Sequence, residues 1–217
     1  MVNWKNIETV LLDMDGTLLD LQFDNHFWQT LVPSRYAEHE NLSFEQAVSY
    51  LAPIFKSQEG LLNWYCLDYW SDKLRLDIAG LKVQAQEGIS ELPTTRPFLQ
   101  ALNESGKRCV LVTNAHTESL RIKMKKTGLI GFFDATVSAH DLGYPKENQG
   151  FWRAFHALEK FNPKKTLMVD DSLSVLQAAD TFGVEYLVAI TQPDSSEPTR
   201  IVHDFTAVED LGKIMPD

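Results

Sequence analysis

The fold of this chain is decided by one short stretch, Thr9-Val10-Leu11-Leu12-Asp13-Met14-Asp15-Gly16-Thr17. Its apolar first half is typical of a buried strand, and its second half brings two carboxylates and a glycine to the end of that strand. Residues i and i+2 of an extended chain point the same way, so we expect Asp13 and Asp15 to face one site. Gly16 permits a sharp turn whose backbone amides could face an anion. Asp and Gly also end strands with no further role, so the rest of the chain must decide between these interpretations.

Length and composition indicate a globular protein. The chain has 217 residues, 44% of them apolar, which suits one large domain or a domain that carries an insertion. A formal net charge of −10 and the absence of a Lys/Arg cluster argue against a nucleic-acid polymer as partner, because such binding rests on phosphate neutralisation. No apolar stretch reaches the roughly 18 residues of a membrane span, and the first residues lack a signal-peptide apolar region. We therefore expect no membrane partner and a cytoplasmic protein.

The two cysteines, Cys66 and Cys109, are far apart and show neither metal-ligand nor redox spacing. We interpret both as small buried side chains, and their lack of pairing signals favours a reducing compartment.

The chain alternates between strand-like and helix-like patterns. The β-rich runs are at residues 9–13, 108–113, 135–138, 166–170 and 186–190. The helix-like segments that follow residue 93 are at residues 96–104, 118–126, 150–160 and 174–182. This alternation predicts an α/β fold with a doubly wound parallel sheet of the Rossmann type, in which ligands bind beyond the carboxyl ends of the strands.

A helical insertion follows the first strand. Between residues 21 and 92 the periodicity is mainly helical, with helices expected at residues 25–31, 44–55, 61–74 and 81–87. A segment of this length is not an ordinary loop between a strand and a helix. We therefore predict a catalytic core of residues 1–20 and 93–217 and an all-helical cap of residues 21–92 over the carboxyl edge of the sheet.

Polar residues follow three of the other strands. Thr113 and Asn114 end the second, Lys146 lies in the loop after the third, and Asp170 and Asp171 end the fourth. Taken singly, the Thr-Asn pair is typical of a helix cap and the lysine of a solvated loop. Their coincidence with the first acidic pair, at the strand ends of one sheet, favours a shared site.

In these four regions, together with the insertion, the sequence resembles the haloacid dehalogenase-like (HAD) hydrolase superfamily. The resemblance implies that Asp13 is a nucleophile that becomes an aspartyl phosphate, and that Asp15 is the acid and base. It implies phosphate binding by Gly16, Thr113, Asn114 and Lys146, with Lys146 also pairing with Asp13. It further implies a Mg²⁺ cofactor held by Asp13, Asp15, Asp170 and Asp171, with Asp15 acting through its backbone carbonyl. Asp171 is the expected direct ligand of the last pair, and Asp170 would act through water.

A narrower resemblance is to purine 5'-nucleotidases of the enterobacterial type, which act on GMP and IMP. It rests on residues 19–28, 62–71, 113–116 and 143–147. It implies a small-molecule phosphomonoester substrate, a purine nucleotide. We expect a monomer or a small homo-oligomer. Four aromatic residues of the insertion could stack on the base or fill a helical core; these are Trp64, Tyr65, Tyr69 and Trp70. His26 and His116 are given no catalytic role.

Other reactions remain open on the same scaffold. A sugar-phosphate phosphatase, or a phosphotransferase like β-phosphoglucomutase, would use the same acids on a sugar. A phospho-accepting signalling domain of the receiver type also combines acids, a Thr and a Lys, but the insertion argues against it. Carbon–halogen hydrolysis ranks last, because Asp15 suits the protonation of a leaving alcohol.

Overall fold

A six-stranded parallel sheet forms the centre of the protein. The structure, a computed structural model, describes residues 2–216. The strands lie in the order β3-β2-β1-β4-β5-β6, and every neighbouring pair is parallel. Their bounds are β1 Thr9–Leu12, β2 Arg108–Thr113, β3 Ala135–Ser138, β4 Thr166–Asp170, β5 Tyr186–Ile190 and β6 Thr206–Val208. The strand order reverses at β1, which lies between β2 and β4.

Helices connect these strands and cover the sheet. Their bounds are α1 Gln22–His26, α2 Val32–Glu40, α3 Phe44–Lys56, α4 Leu67–Leu74, α5 Ile78–Gln84, α6 Thr95–Glu104, α7 Thr117–Thr127, α8 Ala139–Leu142, α9 Gln149–Glu159 and α10 Leu173–Phe182. Among residues 2–216, no helix is long and apolar enough to span a lipid bilayer.

Both faces of the sheet are buried. Side chains alternate along β1, so that Val10 and Leu12 join one apolar cluster and Leu11 joins the other. The first cluster includes Phe98 of α6, and the second includes Phe155 of α9. The four residues of β1 are all buried, which explains why its sequence is a continuous apolar run rather than an alternating one. The predicted doubly wound α/β fold is confirmed.

The segment between β1 and α6 is helical and has an apolar cluster of its own. Its buried members are Phe27, Val32, Leu51, Leu67, Trp70, Leu74 and Ile78. They come from helices α2 to α5 and from the π-helical turn Phe27–Leu31 that joins α1 to α2. Helices with one apolar stripe are stabilised by packing against each other in this way. The division into a core of residues 1–20 and 93–217 and a cap of residues 21–92 stays a prediction.

Helix boundaries in this segment differ from those expected. Residues 61–74 form a 3₁₀ turn, Leu62–Tyr65, and then α4, because Cys66 has an extended conformation and caps the second helix. The helix expected at residues 25–31 continues without a break through the π-helical turn Phe27–Leu31 into α2, and it ends at Asn41 with a φ of 55°. Pro33 follows this π-helical turn and has no N–H with which to donate the i→i−4 bond of a regular helix.

The edge strand β6 is also absent from the sequence prediction. It has three residues, Thr206–Val208, of which the first two are exposed. A strand that is short and exposed has no apolar run to reveal it, and only pairing with β5 defines it.

Candidate active site

The structure brings the predicted acids and the lysine to one edge of the sheet. Asp13 follows β1, Thr113 ends β2 and Asp170 ends β4, and these three strands are neighbours. Their carboxyl ends meet at the point where the strand order reverses, which is where doubly wound sheets bind ligands. Lys146, from the loop between α8 and α9, reaches the same place.

Lys146 is the centre of a buried ion-pair network. Its Nζ donates to Asp13 Oδ1 at 2.5 Å, to Asp170 Oδ2 at 2.7 Å and to the carbonyl oxygen of Val112 at 3.1 Å. Lys146 and Asp170 are each 1% exposed and Asp13 is 6% exposed. Charged hydrogen bonds in such a dry environment are strong and directional. The predicted pairing of Lys146 with Asp13 is present in the structure.

The carboxylates outnumber the positive charge beside them. Burial raises the pKa of Asp13 to about 7 although Lys146 opposes this shift. Burial also raises the pKa of Asp170 to about 6, and burial followed by repulsion from Asp13 raises the pKa of Asp171 to about 7. Burial opposes the charge of Lys146, but Asp13 and Asp170 outweigh it and hold its pKa above the usual range. Additional positive charge would be needed to keep all three acids ionised.

The residues present fit a hard divalent cation. One carboxylate oxygen from each of Asp13, Asp170 and Asp171 lies within 4.8 Å of the others. A set of carboxylate oxygens is the kind of site that Mg²⁺ occupies, with water completing its shell. The carboxylate of Asp15 is outside this group. The sequence analysis expects Asp15 to bind the metal ion through its backbone carbonyl oxygen, and this role stays a prediction.

Asp15 belongs to a second buried network that the sequence did not reveal. Its Oδ1 accepts from Lys123 Nζ at 2.6 Å, and the same Nζ donates to Asp24 Oδ2 at 2.5 Å. Lys82 completes the network by donating to Asp24 Oδ1 at 2.7 Å and to the Ser119 hydroxyl at 3.1 Å. Two acids and two lysines therefore join α1 and α5 of the helical segment to α7 and to the loop after β1.

The charges of this second network respond differently to their surroundings. Burial opposes the ionised form of Asp24, but Lys123 and Lys82 outweigh it and hold its pKa well below the usual range. Burial raises the pKa of Asp15 in spite of Lys123. Burial lowers the pKa of Lys82 in spite of Asp24, whereas Asp15 and Asp24 together overcome burial and raise the pKa of Lys123. Asp15 and Lys82 are therefore the two members whose charged forms burial disfavours in spite of their partners.

Thr113 and Asn114 lie at the site and are partly engaged within the protein. Thr113 Oγ1 accepts from the Ala115 amide at 3.0 Å, which leaves its O–H free to donate to a ligand. Asn114 Oδ1 accepts from the Lys146 amide at 2.8 Å, and its Nδ2 donates to Glu147 at 3.0 Å. The amide of Asn114 has a second N–H group, and phosphate binding by this residue stays a prediction. The side chain also holds the loop that carries Lys146.

Gly16 allows the backbone to turn directly against Asp171. Its φ is +85°, and a Cβ there would lie 2.8 Å from Asp171 Cγ and from Pro193 Cβ. Its amide donates to the carbonyl of Leu19 at 2.7 Å, so the turn itself uses this N–H group. Gly16 is thus required by conformation and by close approach, while phosphate binding by this residue stays a prediction.

A cavity of about 430 Å³ lies between the sheet edge and the helical segment. Its lining includes Asp13, Lys146, Trp28, Trp64 and Tyr65. Of the four aromatic residues considered above, Trp70 is buried among the helices and Tyr69 packs on it with ring centroids 4.9 Å apart. Trp64 is 36% exposed and lines the cavity.

Sequence reasoning missed Lys123, Lys82, Asp24 and Arg200. Lys123 is three residues after the buried Leu120 on α7, so it falls on the apolar face of that helix, and this was the available signal. Arg200 donates to the carbonyl of Asp171 at 2.9 Å and to that of Ile190 at 3.0 Å. It lies in a polar loop whose sequence carries no signal, and only tertiary folding brings it to Asp171.

The fold and the site together define a doubly wound α/β enzyme with an acid–lysine centre at its switch point. Comparison with known proteins gives the family. A model of the haloacid dehalogenase-like hydrolases matches residues 7–183. The chain is 40% identical to the GMP/IMP nucleotidase YrfG of Escherichia coli over 215 residues, which are 99% of this chain and 97% of that protein.

Solved structures share the fold. A HAD phosphatase from Thermococcus onnurineus superposes with a TM-score of 0.81 at 21% identity, covering 96% of each chain. A β-phosphoglucomutase from Thermotoga maritima, whose assignment is provisional, superposes with a TM-score of 0.68 at 18% identity, covering 96% of this chain and 97% of that one.

The chain belongs to the haloacid dehalogenase-like hydrolase family. The superfamily resemblance and the narrower one to purine nucleotidases are confirmed as similarities, and so is the prediction that the protein is an enzyme of the phosphatase class. The individual roles of the site residues stay predictions.

Proposed function

We propose that the protein is a Mg²⁺-dependent phosphomonoesterase that hydrolyses purine nucleoside 5'-monophosphates, with GMP and IMP as substrates, through an aspartyl phosphate. The observation that carries this proposal is the position of Lys146, whose Nζ lies 2.5 Å from Asp13 and 2.7 Å from Asp170 at the floor of an aromatic cavity. The relative from Escherichia coli supports the choice of substrate.

The first step forms a bond between Asp13 and phosphorus. A carboxylate oxygen of Asp13 attacks, and the bond from phosphorus to the ribose 5'-oxygen breaks. Protonated Asp15 gives its proton to that leaving oxygen. Because burial raises the pKa of Asp15, the protonated form that this step needs is more accessible than for an ordinary aspartate.

The second step releases phosphate. The Asp15 carboxylate takes a proton from a water molecule, whose oxygen attacks phosphorus, and the bond to Asp13 breaks. Lys123 donates to Asp15 at 2.6 Å and so fixes the direction of its carboxylate. The Thr113 hydroxyl, an Asn114 N–H and the Lys146 ammonium donate to the phosphoryl oxygens, where the charge of the transition state is spread.

Asp13, Asp170 and Asp171 would hold Mg²⁺, together with the backbone carbonyl of Asp15. When bound, Mg²⁺ supplies positive charge that keeps the acids ionised and neutralises the phosphate of the substrate. The pKa of Asp13, which burial raises to about 7 in the protein without a metal ion, supports the requirement for added positive charge beside these acids. A nucleophilic carboxylate must be ionised, so the enzyme depends on added positive charge near neutral pH.

The aromatic wall of the cavity suits a purine. Trp64 and Trp28 both line it, and Trp64 is 36% exposed. Stacking of a base on an aromatic side chain contributes about 1–3 kcal/mol. The polar residues Asn25 and Gln29 line the same cavity; Asn25 Nδ2 already donates to Asp194 at 2.7 Å, so Gln29 offers the amide group to the edge of a base.

A panel of phosphate esters, assayed for released phosphate with and without Mg²⁺, tests this function. We expect GMP and IMP to give the highest kcat/KM, ahead of pyrimidine nucleotides and sugar phosphates, and no turnover after chelation of Mg²⁺. Hexose 1-phosphates in the same panel are analysed for isomerised sugar, which would instead reveal a phosphotransferase.

The nucleophile is tested by Asp13→Asn, which keeps the shape of the side chain and removes its charge. We expect kcat to fall by on the order of 10³-fold or more. Asp180→Asn, at an exposed position on α10, is the matched control and should keep full activity. Equal activity of Asp13→Asn and the control would reject Asp13 as the nucleophile.

A further inference from the structure

Three residues with metal-binding side chains meet beside the cavity. Cys66 caps α4, His116 caps α7 after β2, and His140 lies in α8 after β3. The Cys66 Sγ and one ring nitrogen from each histidine all lie within 4.8 Å of one another. The two imidazole rings meet edge to face with centroids 4.9 Å apart. Residues 66, 116 and 140 are too far apart in sequence for their spacing to suggest a metal site.

This group of residues has unused capacity for a ligand. Nε2 of His140 is buried and has no hydrogen-bond partner among residues 2–216. A buried polar atom without a partner costs about 1–3 kcal/mol, so its retention calls for an explanation. Burial, followed by repulsion from His116, lowers the pKa of His140 to about 4, so its ring is neutral and keeps a lone pair at neutral pH.

The sulfur and the second histidine are also placed for ligation. Cys66 Sγ accepts from the Tyr69 amide at 3.4 Å, at the N-terminus of α4. Nδ1 of His116 has a long contact of 3.4 Å to the Glu118 amide. Nε2 of His116 lies 3.6 Å from Asp68 Oδ2. A carboxylate at this distance can orient the ring or complete the coordination shell.

We propose that Cys66, His116 and His140 form a transition-metal site, separate from the carboxylate site, that binds Zn²⁺. Thiolate and imidazole ligands select a borderline-soft ion such as Zn²⁺, whereas Mg²⁺ requires oxygen ligands. Zn²⁺ bonds of about 2.3 Å to sulfur and about 2.0 Å to nitrogen place tetrahedral ligands roughly 3.3–3.6 Å apart. The three ligand atoms are within 4.8 Å of one another, so small side-chain rotations assemble the site.

Occupancy of this site would tie the helical segment to the sheet. Cys66 belongs to the segment between β1 and α6, while His116 and His140 follow strands of the sheet. His116 is also two residues from Asn114 and lines the cavity. We expect Zn²⁺ at 100-fold above its Kd to raise the Tm by about 5–10 °C.

Cobalt substitution in the full-length, metal-stripped protein tests the site. Co²⁺ bound through a thiolate gives a charge-transfer band in the near ultraviolet. We expect one Co²⁺ per chain to produce this band in the native protein, and Zn²⁺ to displace it while Mg²⁺ does not. Absence of the band from the native protein would overturn the proposal, whatever the variants do.

Variants assign the ligands. Cys66→Ser and His140→Gln should lose the band and weaken Zn²⁺ binding at least about tenfold. Cys109→Ala, which removes the other cysteine, and His203→Gln, at an exposed position, are the matched controls and should keep both. Asp13→Asn should also keep Zn²⁺ binding, because it alters only the carboxylate site. Circular dichroism of each variant checks folding. A band that persists in Cys66→Ser, or disappears in Cys109→Ala, would reject the assigned site.

Discussion

The network of Asp15, Asp24, Lys82 and Lys123 allows a prediction about stability. One substitution should lower the free energy of unfolding, and a second should restore part of the loss. Asp24 is bonded to both lysines, at 2.7 Å and 2.5 Å, and the side chains of Lys82 and Lys123 are 3% and 1% exposed. Asp24→Asn removes the carboxylate from between them. Lys123 keeps Asp15, but Lys82 keeps only neutral partners, the Ser119 hydroxyl and the amide oxygen introduced at position 24, and loses the carboxylate that it contacts directly.

Breaking a buried ion pair from one side costs about 3–5 kcal/mol. For a chain of this length, 1 kcal/mol corresponds to about 2–4 °C in Tm, so Asp24→Asn should lower the Tm by about 6–20 °C. Lys82→Met alone should cost less, about 0–2 kcal/mol. Burial already lowers the pKa of Lys82, and Asp24 keeps Lys123 as its partner.

The double variant, Asp24→Asn with Lys82→Met, should be more stable than Asp24→Asn alone. The second substitution removes the lysine that the first left without a charged partner. The ion pair of Asp15 and Lys123, whose charges cancel, remains. We expect a recovery of about 1–3 kcal/mol, which is the range of coupling between residues in contact.

Urea unfolding at neutral pH, followed by circular dichroism, measures these free energies of unfolding. Asp72→Asn, at an exposed position on α4, is the control for loss of an acid from the helical segment and should change stability by less than about 0.5 kcal/mol. A double variant that is no more stable than Asp24→Asn would refute the idea that an unpaired Lys82 causes the loss.

Acid titration provides a second readout of the same reasoning. The lysines hold the pKa of Asp24 below its usual range, so its contribution to stability is fully present above the unfolded-state pKa of about 4. It is lost as the pH falls through the folded-state value. The difference in stability between the native protein and Asp24→Asn should therefore narrow as the pH falls below about 4.

The remaining predictions concern the carboxylate site and the cavity. Lys146→Met should lower kcat by about 10²–10³-fold, measured as phosphate release from GMP, because a donor to the phosphoryl group is lost. Trp64→Ala should raise KM for GMP by about 5- to 150-fold and leave hydrolysis of a small ester without a base unchanged, since stacking contributes about 1–3 kcal/mol. In the metal-free protein the raised pKa of Asp13, about 7, means that the folded state binds more protons than the unfolded state between pH 4 and 7. Its Tm should therefore fall as the pH rises through this window, and Mg²⁺ should restore the Tm; a Tm independent of pH and of Mg²⁺ would contradict the origin assigned to this shift.

Local sequence patterns were sufficient for strands β1 to β5 of the sheet, though not for the edge strand β6, and for the residues at the strand ends. The buried strands β1, β2 and β4 are continuous apolar runs, and each is followed directly by polar side chains such as Asp13 and Asp170. All strands of a parallel sheet have their carboxyl ends at the same edge, so side chains that follow these strands lie near one another. The shared site of Asp13, Lys146 and Asp170 follows from that geometry.

The fold class and the acid–lysine centre could be inferred from the sequence because strand-helix periodicity and the residues next to strand ends are local features, and the family was recognised by the resemblance of the four motif regions. The partners that come from distant helices and loops follow only from the tertiary structure. Lys123 and Asp24 differ by 99 positions, and Cys66 and His140 are separated by more than 70, yet each pair lies in one cluster. From sequence alone, a lysine or a histidine in a helix is expected to be a solvated surface residue, and only the packing of the folded chain shows that it is buried. Its role is set by the groups that folding then places against it.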